Sequence, residues 1–132
     1  DTAVNYSGQS FIAYCWSEVA GFSKFGSYVG NGSSDGTFVY TGFRPKYIMC
    51  KAASGGTGDW LTVDTARQTY NVANGSLAAN LTNVESYYSG NNIDILSNGF
   101  KFRTSGGVYN GSGITYIYMA FAENPTKYAN AR

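Results

Sequence analysis

Histidine is absent from this sequence of 132 residues, and charged side chains are scarce. Histidine is the usual general base at neutral pH and the commonest metal ligand, so its absence removes the standard catalytic triad and most zinc sites. Charged residues make up 13% of the chain, against roughly 25% in ordinary soluble domains. The nine Lys and Arg nearly balance the eight Asp and Glu. A net charge of +1 gives no field that favours nucleic acid or an anionic membrane surface.

Cysteine and long apolar runs are also scarce. Cys15 and Cys50 lie inside apolar runs, and neither has a second Cys or a His nearby. We therefore predict two buried free thiols and no metal site. A disulfide between them stays open, because sequence does not give the Cβ geometry. No apolar run reaches the roughly 20 residues of a membrane span, so no membrane insertion is expected, and no cofactor is expected either.

Turn residues and β-forming residues are abundant. Tyr, Phe, Val, Ile and Thr fill short runs that suit a pleated, half-buried surface. Five pairs favour positive-φ turns: Asn31-Gly32, Asp35-Gly36, Asn74-Gly75, Asn98-Gly99 and Asn110-Gly111. The predicted strands are 9–19, 24–30, 36–42, 45–52, 59–64, 92–96, 99–104 and 114–122. This pattern predicts one all-β domain over residues 1–132, an antiparallel β-sandwich of jelly-roll or concanavalin-like appearance.

Helical periodicity is confined to one short stretch. In residues 76–85, Leu77, Leu81 and Val84 fall at positions i, i+4 and i+7. The stretch is interpreted either as one or two turns of helix or as a loop with apolar anchors. At most one short helix is therefore expected.

An internal repeat links the two ends of the chain. Residues 7–18 (SGQSFIAYCWSE) match residues 112–123 (SGITYIYMAFAE), and every matched pair is 105 residues apart. In one interpretation the domain is a unit of a tandem array, and strand 9–19 is equivalent to the last strand of a preceding unit. In the other, the two strands are paired equivalents inside one sandwich. We favour the first, because the chain begins in mid-motif without an initiator Met, and it predicts further copies upstream.

The best candidate for a ligand site is the segment 59–71. Sugar recognition needs an aromatic face for stacking and planar polar groups for the hydroxyls. The residues expected to supply them are Trp60, Asp64, Arg67, Tyr70 and Asn71. The alternative is that Trp60 belongs to the core and that Asp64 pairs with Arg67 to pin a turn.

Catalytic and metal-binding patterns are weak. A carboxylate pair for glycoside hydrolysis is conceivable, but nothing fixes two acids at a useful distance. Glu18 and Glu123 occupy equivalent repeat positions, and we expect them to be structural and to accept backbone N–H groups. The loop 31–36 has the oxygen spacing of a calcium loop, but position 12 is Gly42 instead of an acid, so we expect a hairpin turn. We predict no enzymatic activity and no metal site.

Four separated blocks resemble a module that is abundant in bacteriophages and marine viral sequences. They are residues 11–32, 38–46, 96–104 and 116–132. In that family the module lies toward the C-terminus of large virion proteins, often after laminin-G-like or concanavalin-like domains. These proteins look like tail-fibre or other appendage components. The resemblance covers nearly the whole chain, implies a location on the virion surface, and carries over no catalytic residues.

The expected function is a non-enzymatic structural and adhesive module of a tail fibre or spike that contributes to host attachment. One alternative is a glycan-binding lectin domain, and another is an architectural module for capsid decoration or fibre assembly. The expected partners are other virion proteins, further copies in a homo-oligomer such as a trimer, and a host surface glycan. Nucleic acid is not an expected partner.

Overall fold

Alternation of side chains gives each strand a buried face and an outer face. In the third strand Ile48, Cys50 and Ala52 are buried, whereas Met49 and Lys51 between them lie on the opposite face. This period of two is what a pleated strand imposes. It confirms the all-β antiparallel sandwich predicted from the sequence.

The computed structural model describes residues 6–87 and 89–123. The strands are β1 (Ser23–Val29), β2 (Phe38–Tyr40), β3 (Pro45–Ser54), β4 (Leu61–Asp64), β5 (Gly75–Ala78), β6 (Ser86–Tyr87), β7 (Ile93–Leu96), β8 (Gly99–Phe102) and β9 (Thr115–Ala122), and a 3₁₀ turn spans Ser89–Asn91. One sheet has six strands in the order β1-β9-β3-β4-β5-β6, and the other has three in the order β2-β8-β7. All pairs are antiparallel.

β9 lies between the edge strand β1 and β3 in the larger sheet. It pairs with β1 from Ser23↔Phe121 to Val29↔Thr115 on one edge. It pairs with β3 on the other edge, where Met49 lies opposite Met119. β9, the last strand of the described residues, therefore joins β1 to the rest of the six-stranded sheet.

The core between the sheets is built from aromatic rings. Tyr28 stacks on Tyr116 at 5.0 Å between ring centroids and also contacts Phe100 and Phe102. The Tyr28 hydroxyl donates to the backbone carbonyl of Tyr109 at 2.7 Å, which satisfies its one polar atom in the core. Burial raises the pKa of Tyr28 well above its usual range, so this hydroxyl stays a donor.

Asn110 connects the two sheets through loops. The side chain is fully buried, and its amide nitrogen donates to Asn31 Oδ1 and to the carbonyls of Ser33 and Thr104 at 2.8–2.9 Å. Its amide oxygen accepts from the backbone N–H of Asn31. The loop 31–36 runs from β1 in one sheet to β2 in the other, so the predicted hairpin turn there is wrong. The side chain of Asn110 holds this loop in place through its hydrogen bonds to Asn31 and Ser33.

The five predicted turn pairs use glycine in two ways. Gly32 has a φ of 66°, as expected, but the other four glycines of these pairs are absent from the positive-φ residues of the described chain. Gly36 and Gly99 are needed for close approach instead. A Cβ at Gly99 would overlap the carbonyl oxygen of Val39, and one at Gly36 would overlap that of Phe102.

One predicted strand is absent from the described residues, two observed strands were not predicted, and the helical alternative for residues 76–85 is wrong. Residues 9–18 form no strand in the described chain, although seven of the eight predicted strands overlap observed ones. β5 and β6 were missed, because their short sequences carry little β signal and form by pairing with β4 and with each other. The stretch 76–85 consists of β5, a turn and a loop, so the helical interpretation is wrong. Leu81 and Val84 in the loop are exposed and do not anchor it in the core.

Both cysteines are free thiols, but only Cys50 is buried. Cys15 is exposed, contrary to the prediction, because its segment does not pair with a sheet. For the same reason the interpretation of 9–19 and 114–122 as paired equivalents is wrong, since β9 pairs with β1 and β3. No helix in the described residues has the length and apolarity that crossing a membrane requires.

We expect Asn110→Ala to lower the free energy of unfolding by about 2–4 kcal/mol, because it leaves buried carbonyl and N–H groups without partners. Urea denaturation followed by fluorescence measures the change. Asn98→Ala is the matched control, since Asn98 is exposed, and its loss is expected to stay within about 0.5 kcal/mol. Equal midpoints for both variants would contradict the role assigned to Asn110.

Candidate functional site

The predicted sugar-binding residues are split between the two ends of β4. Trp60 lies just before the strand, whereas Asp64 ends it and Tyr70 follows in the loop. Four strand residues span roughly 13 Å. The structure therefore does not bring Trp60 and Tyr70 together around one ligand.

Asp64 and Arg67 form the core of an ion-pair network. Arg67 binds the Asp64 carboxylate through Nε and the Glu85 carboxylate through Nη1, at 2.5 Å in the second case. Tyr87 donates its hydroxyl to Glu85. Asp64 also accepts the backbone N–H groups of Ala66 and Arg67, which closes the turn after β4. This is the local Asp64–Arg67 pairing that we considered as the alternative to a ligand site.

The electrostatics of Asp64 follow from this geometry. Burial raises the pKa of the carboxyl, but the hydrogen bonds and charge of Arg67 outweigh that effect, and the pKa lies below its usual range. The Arg67 pKa is raised in turn by the two carboxylates, although burial opposes this. Asp64 and Arg67 are therefore both ionised at neutral pH and bind each other.

Asn71 and Tyr70 have opposite environments. The Asn71 amide makes two hydrogen bonds to the backbone of Ile95, at 2.9 and 3.0 Å, and so ties the loop to β7. The Tyr70 side chain is 85% exposed. Of the five residues predicted to bind a ligand, Asp64, Arg67 and Asn71 are thus occupied by internal contacts.

Trp60 is adjacent in sequence to residues that line a cavity but does not line it itself. Its ring is half-buried, outside the core, and Lys51 Nζ lies 6.0 Å from the ring centroid. Asp59 beside it accepts from the Asn80 amide at 2.9 Å and lines a cavity of about 210 Å³. The other lining residues come from β5, the loop 81–86, the 3₁₀ turn and the loop that carries Val108 and Tyr109. Sequence reasoning missed this cavity, because its walls are assembled from segments far apart in the chain.

The outer face of the larger sheet carries an apolar patch across β1, β9 and β3. We call it the outer-face patch, and its residues are Phe25, Tyr47, Met49, Met119 and Phe121. All five side chains are half-buried. The centroid of the Phe121 ring lies 5.9 Å from that of Phe25 and 6.2 Å from that of Tyr47. The Tyr47 hydroxyl lies 3.8 Å from Met49 Sδ. The patch is flat because neighbouring strands present these side chains side by side.

Six carboxylates that could serve in a pair for glycoside hydrolysis each have a cation or an amide as a partner. Glu18 binds Lys24, Asp59 binds Asn80, Asp64 and Glu85 bind Arg67, Asp94 lies near Arg103, and Glu123 binds Arg44. The hydrogen bond from Lys24 lowers the pKa of Glu18, whereas a general acid needs a raised pKa. Glu18 also accepts the backbone N–H of Phe25, as we expected.

The loop 31–36 is held by protein groups. The Asp35 carboxylate binds Lys101 at 2.6 Å and Arg103 at 2.7 Å, and the hydrogen bond from Lys101 lowers its pKa. Within residues 6–87 and 89–123 no group of three or more metal-ligating side chains comes together.

Comparison with known proteins gives one family. The family model that matches residues 1–125 is described as a domain of unknown function (DUF7483). No curated protein and no solved structure matches the chain.

We expect Asp64→Asn to reduce the free energy of unfolding at pH 7 and to have little effect at pH 2. The folded-state pKa of Asp64 is lowered, so its stabilising effect is present above the unfolded value of about 3.9 and is lost as the pH falls through the folded-state value. Urea denaturation of the unchanged protein and of Asp64→Asn at pH 7, 4 and 2 measures the difference between their free energies of unfolding. Asp59→Asn controls for loss of a carboxylate outside an ion pair. A gap of the same size at every pH would contradict the ionised network.

Proposed function

The chain belongs to the DUF7483 family, and we propose that it is a non-enzymatic structural and adhesive module of a bacteriophage surface appendage. In this proposal the module forms part of a tail fibre or spike and helps the virion to attach to its host. The phage assignment rests on the resemblance of four sequence blocks to virion appendage proteins. The adhesive part rests on the outer-face patch.

The outer-face patch supports adhesion through its chemistry. Aromatic and methionine side chains give large contact areas, and their mobility or amphipathic character suits surfaces that vary in detail. Four of the five patch residues lie on strands β9 and β3, in the middle of the six-stranded sheet, so the patch is presented on a rigid support.

We expect Met49→Lys to weaken adhesion to bacterial cells by tenfold or more, because it places an ammonium in the middle of the patch. The labelled module is titrated onto a panel of intact bacteria, and bound module is counted by flow cytometry. Tyr40→Lys is the matched control. It places the same charge on β2 of the other sheet, at a side chain that is 63% exposed.

Circular dichroism establishes that both variants keep the fold. Equal binding by Met49→Lys and the unchanged module would contradict adhesion through the patch. The proposal would also be contradicted if the folded module bound every bacterium of the panel no better than a β-sandwich of unrelated sequence does.

A second candidate function is recognition of a defined saccharide beside Trp60. The observation in its favour is a half-buried indole outside the core, with Lys51 Nζ 6.0 Å from its ring centroid as a hydrogen-bonding group. A stacked sugar ring needs this combination of an aromatic face and a polar group.

We expect Trp60→Ala to abolish binding on a glycan array if this site recognises a saccharide, since stacking on the indole contributes much of the contact area. Tyr70→Ala is the matched control, because Tyr70 is an exposed aromatic residue at the other end of β4. Absence of any glycan bound by the unchanged module, or equal binding by Trp60→Ala, would reject the lectin function and leave adhesion through the patch untouched.

A further inference from the structure

The N-terminal segment 10–17 leaves its large side chains in solvent. Ile12 is 82% exposed, Tyr14 is 76% exposed, and Phe11 and Trp16 are more than half exposed. No strand of the described chain pairs with the segment. Folded domains seldom expose so much contiguous apolar surface unless another molecule or domain covers it. We call residues 10–17 the donor segment.

The turn before the donor segment has the same backbone conformation as the turn before β9. In both places a Ser-Gly pair precedes the segment, and the glycine φ is +79° at Gly8 and +74° at Gly113. The Gln9 N–H donates to the Tyr6 carbonyl at 3.2 Å, and the Ile114 N–H donates to the Gly111 carbonyl at the same distance. The repeat of sequence is thus also a repeat of backbone conformation.

The donor segment has the two faces that the position of β9 requires. Placed on β9 by the offset of 105 residues, Phe11, Ala13 and Cys15 fall on the buried positions of Tyr116, Tyr118 and Ala120. Ile12, Tyr14 and Trp16 fall on the outer positions of Ile117, Met119 and Phe121. Neither segment contains a charge or a proline, so either can pair along both edges.

We propose that the donor segment is the ninth strand of a preceding copy of this fold, where it fills the slot between the strands equivalent to β1 and β3. Its partner is therefore a second module of the same architecture, joined to this one through the chain itself. The only replacement that changes volume greatly is Ala13 for Tyr118. Because the Tyr118 ring lies over Gly26 here, we expect a larger side chain at the Gly26 position of the preceding copy.

The junction between the two copies is short and hydrogen-bonded. Ser23 Oγ accepts the Val19 N–H and donates to the Ser17 carbonyl, and the Ser23 N–H donates to the Val19 carbonyl. Glu18 binds both Lys24 Nζ and the Phe25 N–H. These bonds fix the direction in which the donor segment leaves β1. Consecutive copies are thus held without a flexible linker, as a stiff fibre requires.

A two-copy chain tests the proposal. Residues 18–111 are joined directly to residues 7–132, so the first copy lacks its own β9 and the donor segment follows at the position of that strand. The readout is thiol modification in the native state. Cys50 is fully buried, and burial raises the pKa of its thiol to about 12, so it does not react in either copy. Cys15 is exposed in the single chain, so its reactivity in the two-copy chain shows whether the donor segment fills the slot of β9 in the first copy.

We expect the single chain to react with one thiol equivalent and the native two-copy chain to react with none, because Cys15 then occupies the buried position of Ala120. The Ala13→Tyr variant fills the space over Gly26, and we expect it to raise the unfolding midpoint of the first copy. This variant also serves as the test chain if the first copy is too unstable with Ala13.

Two aspartate variants test the register. Phe11→Asp places a charge on the inner face and is expected to unfold the first copy and expose Cys15, whereas Ile12→Asp lies on the outer face and leaves Cys15 protected. The proposal is overturned if Cys15 reacts as fast in the two-copy chain and in its Ala13→Tyr variant as in the single chain. It is also overturned if the inner and outer aspartates have the same effect.

Discussion

Pairing of β9 on both of its edges is the interaction on which the rest of the structure depends. Without it, β1 has no partner in the six-stranded sheet, and the Tyr28 ring loses Tyr116, its nearest aromatic neighbour. The outer-face patch depends on the same pairing, because Phe121 and Met119 lie between Phe25 of β1 and Tyr47 of β3. The aromatic core and the outer-face patch therefore both depend on the pairing of β9 with β1 and β3.

Loops without regular pairing are held by buried or ion-paired side chains. Asn110 fixes the crossing between the sheets, Asn71 joins the loop after β4 to β7, and Arg67 links Asp64 to Glu85. No buried side-chain nitrogen or oxygen in the described residues lacks a hydrogen-bond partner. A chain with 13% charged residues thus meets its polar requirements mainly through amides, hydroxyls and a few ion pairs.

Strands with strong alternation were predictable from the sequence, and residues whose partners are distant in the chain were not. β8 alternates Phe100 and Phe102 with Lys101, and β4 alternates Leu61 and Val63 with polar residues, so local pattern alone indicates them. β5 is a short Gly-Ser-Leu-Ala stretch that becomes a strand only beside β4. The donor segment shows the converse, since its residues favour a strand but no strand of the described chain pairs with it.

In the candidate site, too, only the contacts between residues close in sequence could be predicted. The local pairing of Asp64 with Arg67, three residues apart, was among the alternatives that the sequence suggested. The contribution of Glu85, the anchoring of Asn71 on Ile95 and the separation of Trp60 from Tyr70 depend on how sheets and loops pack. The outer-face patch likewise joins residues from β1, β3 and β9, and only the strand order brings them together.

Native-state hydrogen exchange of the single chain tests the pairing of β9 along both of its edges most directly. The account predicts that the amides of residues 116–120 exchange only through global unfolding, because β9 is flanked by paired strands on both sides, and that those of residues 11–16 exchange at nearly unprotected rates. Strong protection of residues 11–16 together with weak protection of residues 116–120 would contradict it, since the N-terminal segment would then occupy the place of β9 between β1 and β3.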